Sequence, residues 1–149
     1  MEKTVGKKIP VSVIKITITT VRKCPYNPET RWCMYYPFDA NVNKKPITVS
    51  VRSIMHELLH MMLHYYYEDY IKEQGVSEIQ FHHLKEAQTI ILNSIYKDYL
   101  TEPDKGYEIH KQLREDFLVF WEENKNFNDF VNYNISRIGE YFPNSKESH

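Results

Sequence analysis

Residues 54–63, IMHELLHMML, constrain this chain more than any other stretch: two histidines and a glutamate interrupt an otherwise apolar run. His56, His60 and His64 recur at every fourth position, and side chains four apart stack on one face of a helix. Ile54, Met55, Leu58, Leu59, Met61, Met62 and Leu63 fill the remaining faces, which predicts a central, buried helix. Ionisable groups on such a helix are costly to bury without partners, so their presence implies a purpose.

His56, Glu57 and His60 fit the pattern H-E-x-x-H, which has a mechanism behind it. The two imidazoles, one helical turn apart, can converge on one Zn²⁺ at ~2.0–2.1 Å. Glu57 lies beside them, angled to reach a water on the zinc without displacing it. Such a water ionises near pH ~7 rather than near ~15.7, and a carboxylate can take its proton and hand it to a leaving amine. If His56 and His60 are ligands, His64 does not join them, because a rise of 1.5 Å per residue puts it about 12 Å from His56. It is expected to pack, or to steady a ligand from behind.

A catalytic zinc needs a third protein ligand and one open position. The segment FHHLKEAQTIILN supplies His82, His83 and Glu86 beyond a helix-breaking Gly75. Two antiparallel helices joined at that glycine can bring this segment back beside the metal. His82 and His83 share the face of Glu86 and compete with it for the third position.

HELLH followed by KEAQT on the next helix resembles the gluzincin metallopeptidases, the thermolysin-like class, and the small size is similar to the single-domain minigluzincins. The resemblance covers residues 47–93. It implies an HExxH helix and a glutamate helix, one zinc per chain held by His56, His60 and Glu86, Glu57 as general base, and a peptide or protein as substrate. It further implies a residue that orients a ligand histidine, an Asp four positions after the glutamate in that family. Here that position is Ile90, and Thr89 or Asn93 is expected to substitute. A Tyr or His from a later helix is expected to contact the transition state, with His110 the candidate among Tyr107, His110, Tyr133 and Tyr141; His83 is a further candidate for lining the cleft. The same motifs are similar to regulatory HExxH proteases that cleave repressors. A third reading keeps the metal and loses turnover, leaving an interaction module.

The chain has 149 residues, 42% of them hydrophobic and 26% charged, with a net charge of −1. These values suit one globular domain with its own core. Lys and Arg are scattered, which argues against nucleic acid as a partner, and four glycines leave no Gly-rich nucleotide loop. The apolar run around His56 is too short and too polar to span a bilayer, and no targeting segment is visible, so a cytoplasmic protein is expected. Cys24 and Cys33 are read as reduced thiols on that basis.

The expected layout is α+β. Residues 1–49 read as β-rich, with about three strands in an antiparallel or mixed sheet. Alternation with β-branched residues at 11–21, the segment 31–38 and the segment 46–51 are the candidates. Residues 50–141 read as about four helices. The first ends at Gly75; the second opens at Ser77, whose spacing to Gln80 is that of a capping box, and runs to about 100. The third opens at Pro103 and runs to 124, the fourth covers 128–141, and 142–149 form a polar tail. Substrate is expected to add along the edge 35–43 as an extra strand.

Overall fold

A computed structural model of the chain describes residues 1–10, 13, 15–18, 26–27, 32–35, 51–100 and 103–144, with the backbone alone for 15–18, 26 and 32–35. Helix accounts for 74% of the residues described in full. The α+β expectation, with an N-terminal sheet as one layer of the fold, is therefore corrected: the protein is mainly helical. Strand pairing in the described backbone is confined to β1 (Lys15–Ile18), β2 (Tyr26–Asn27) and β3 (Trp32–Tyr35), with β3 parallel to β1 and antiparallel to β2. The buried core, among the residues described in full, comes from the helices and the turns between them. Alternation and β-branching report a local backbone preference and say nothing about which segments build the core. The Cys24 and Cys33 thiols, residues 46–50 of the strand candidate at 46–51 and most of the edge at 35–43 lie outside what is described, and Val51 of that candidate begins a helix instead.

A short α1 (Glu2–Val5) tucks Val5 into the core. The long α2 (Val51–Glu73) carries the HExxH segment and buries Leu58, Leu59, His60, Met61, Met62, Leu63, Tyr67 and Ile71. It stops where expected, because Gly75 adopts a left-handed φ of 82° that glycine reaches without strain. The chain then reverses into α3 (Glu78–Gln88). Its capping box is formed: Ser77 Oγ accepts from Gln80 N at 3.3 Å, and Gln80 Oε1 accepts from Ser77 N at 3.0 Å.

The second helix is shorter than its periodicity predicts. After Gln88 it tightens into a 3-10 turn at Thr89–Ile91, resumes as α4 (Leu92–Ile95) and ends at Tyr96. Carbonyls at the end of α3 are drawn off by Thr89 Oγ1 and by the Arg114 guanidinium, and such side-chain bonds compete with the regular ladder. The third helix also begins later than Pro103. Gly106 at φ 63° and an extended Tyr107 break the run. A 3-10 turn at Glu108–His110 then leads into α5 (Lys111–Asn124). Finally α6 (Phe127–Tyr141) is capped by Asn126, whose Oδ1 accepts from Asn128 N and Asp129 N.

α3 is the middle of the assembly, packed against α2, α5 and α6. Its Leu84 and Ala87 meet Leu59, Met62 and Leu63 of α2 in one cluster with Phe117 and Phe130 of the last two helices. The Phe117 and Phe130 rings sit edge to face at 5.8 Å, a favoured aromatic geometry. With α3 clamped in this way, the face of Glu86 is fixed against the face of His56 and His60. No helix among the described residues is long and apolar enough to cross a membrane.

Candidate metal centre

His56 and His60 stand one turn apart on α2, with ring centroids 4.3 Å apart and planes at 77°. Glu86 reaches them from α3. Its Oε1 lies 3.4 Å from His60 Nε2 and its Oε2 lies 3.6 Å from His56 Nε2. Each of the three offers a ligand atom, and these atoms lie within 4.8 Å of one another. His60 and Glu86 are buried, whereas the His56 side chain keeps 20% of its surface open. The group, with its donor set of two imidazoles and one carboxylate, can hold a metal ion.

The residue that orients His56 is one the sequence reading missed. Asp104, buried in the turn before α5, accepts from His56 Nδ1 at 2.7 Å. A carboxylate can only accept, so this contact fixes the proton on Nδ1 and leaves Nε2 toward Glu86. Thr89 and Asn93, expected in this role, bond other partners instead. The Thr89 hydroxyl donates to Glu86 O at 2.9 Å. Asn93 holds the backbone of Asp104, accepting from its N at 2.6 Å and donating to its O at 2.9 Å. Both act one step behind the position assigned to them.

The electrostatics are uneven across the cluster. Burial opposes charge on His56, but Asp104 and Glu86 outweigh it and push its pKa up to about 9. Burial, reinforced by the charge on His56, drives His60 down to about 3. Glu86 is buried too, yet its contacts with His56 and His60 hold it well below the usual carboxylate range. Lys85 Nζ, 3.2 Å from Glu86 Oε1, adds to that pull. Glu57 goes the other way: burial raises it to about 7, with Glu86 and Asp104 adding and His56 opposing.

Beside the cluster lies a cleft of about 310 Å³ lined by Arg52, Ser53, His56, Glu57, Asp104, Lys105, Gly106 and Tyr107. His110, expected at a transition state, is not among them. It is 2% exposed and shares a 2.9 Å hydrogen bond with His83 Nδ1 through its Nε2. His83 stacks on Phe142 at 3.8 Å. These two histidines form a pair of their own, and Tyr107 takes the place in the cleft.

No known protein family, curated protein or solved structure matches this chain.

The remaining candidates separate cleanly. His64 turns to Glu68, 2.6 Å from its Nδ1, and meets the Phe81 ring edge to face, so it packs between α2 and α3. His82 is exposed on α3. Tyr67, on the same turn phase as His56, is buried and donates to Asn128 Oδ1 at 2.7 Å. Of the signals available, only the acidic pair Glu102 and Asp104 in the TEPDKG segment could have pointed here, and nothing in the spacing singles out Asp104.

Proposed function

We propose that this chain is a zinc-dependent peptidase in which His56, His60 and Glu86 hold the metal and Glu57 is the general acid–base. The observation that carries the reading is the convergence of those three side chains within 4.8 Å, with Glu57 in the adjoining cleft. Zinc bound there would supply Lewis acidity, acidifying a water and polarising a carbonyl. Glu57 takes a proton from the attacking water as its oxygen bonds the carbonyl carbon. It returns that proton to the nitrogen as the C–N bond breaks. A carboxylate placed in the cleft suits both halves of this exchange. Asp104 keeps His56 in the tautomer that presents Nε2, and Tyr107 brings a phenol to the same cleft.

The test pairs metal content with cleavage. Purified protein is expected to carry one zinc per chain, lost in His56→Ala. Glu57→Gln is expected to keep the zinc and lose hydrolysis of an unstructured protein substrate by at least ~100-fold. Zinc retained with no cleavage in the parent protein would overturn the peptidase and leave a metal-binding module.

A further inference from the structure

We propose that Asp104 and Arg114 are positioning residues for the metal site: Asp104 fixes the His56 imidazole, and Arg114 acts through Asp104 by holding the 103–107 turn against α3. This rests on the zinc reading above.

Arg114 is 2% exposed and lies on α5. A buried guanidinium is costly unless its donors are met; here both terminal nitrogens bond atoms flanking the site, while Nε has no hydrogen-bond partner among the described residues. One terminal nitrogen donates to Glu86 O at 3.1 Å and to Thr89 Oγ1 at 2.8 Å. The other donates to Asp104 O at 2.6 Å. Glu86 O belongs to the last turn of α3, where helix carbonyls lack partners of their own. Arg114 thus ties the segment that carries Glu86 to the turn that carries Asp104.

The turn is gripped by its main chain. Asn93 and Arg114 bond the N and O of Asp104, and the Arg114 guanidinium also pairs with its Oδ1 at 3.5 Å. Its Oδ1 accepts from Gly106 N at 3.1 Å and its Oδ2 meets His56. The turn also lies hard on the guanidinium. A Cβ on Gly106, at φ 63°, would come within 2.6 Å of Arg114 Cζ. The same turn supplies Asp104, Lys105, Gly106 and Tyr107 to the cleft wall, so one brace sets both the ligand and the wall.

Zinc affinity, measured by competition with a chromophoric chelator, tests this in the wild type, D104N, R114K and the double variant. Each protein is first checked metal-free for cooperative thermal unfolding. Each single substitution is expected to weaken zinc binding about 10- to 100-fold, and the double variant to lose less than the product of the two. A role confined to folding would lower the metal-free unfolding temperature and leave the affinity of folded protein unchanged. The proposal is overturned if D104N binds zinc within about twofold of wild type, or if the two losses multiply. Should R114K not unfold cooperatively, N93A takes its place in the cycle. Wild type that takes up no zinc overturns the zinc reading itself, and this proposal with it.

Discussion

Three histidines share one face of α2, and the structure gives them different work. His56 and His60 meet Glu86, while His64 turns to Glu68 and Phe81. Helical rise puts His64 about 12 Å beyond His56 and the H-E-x-x-H pattern selects the first two, so this division was legible in the sequence. We expect His60→Ala to abolish tight zinc uptake and His64→Ala to leave it within about twofold, read by metal titration. Asp104 was not legible, because a lone aspartate in a polar turn looks like any solvated residue until the fold brings it to His56. His110 offers a separate test. Burial, aided by His83 beside it, holds its pKa down from 6.5 to about 4. The unfolded chain therefore takes up this proton near 6.5 while the folded chain resists until about 4. Its contribution to stability is complete above 6.5 and drains away as pH falls toward 4. In His110→Gln, the urea midpoint should fall less steeply across that window than in the parent.

At the scale of elements, local chemistry predicted ends better than extents. Gly75 and the Ser77–Gln80 box mark the α2–α3 turn as read from their residue types. The run from α3 toward 100 is interrupted at Thr89–Ile91, where Arg114, which periodicity cannot see, arrives from α5 to take the carbonyls of Glu86 and Ala87; it then ends at Tyr96. The start of α5 was missed for a related reason: Pro103 suits a first helical turn, but Gly106 three residues later undoes it. Ser77→Ala removes one half of the capping box and should cost about 1 kcal/mol. It should shift the denaturant midpoint with an unchanged slope, since the surface exposed on unfolding is the same.

For the whole molecule, the pattern of strands followed by helices suggested an α+β domain, and the helices turned out to dominate. The aromatic and aliphatic positions of α2, α3, α5 and α6 interlock into one cluster, whereas the pairings β1–β3 span at most four residues each. Because the proposed ligands come from two helices, an ion bound by all three prefers the folded chain over the unfolded one. Zinc at 100 times its dissociation constant should then add about 2.7 kcal/mol to stability. The gain should appear as a raised unfolding temperature that vanishes with chelator or in His56→Ala.

The route from His56 to Glu86 runs through a single hairpin, whereas Asp104 and Arg114 enter from later in the sequence. Synthesis runs from the N-terminus, so α2 and α3 emerge before residues 104 and 114. A nascent polypeptide would accordingly own its three donors before it owned the clamp that trues them, so an early ion would be held loosely and gripped only as α5 docked.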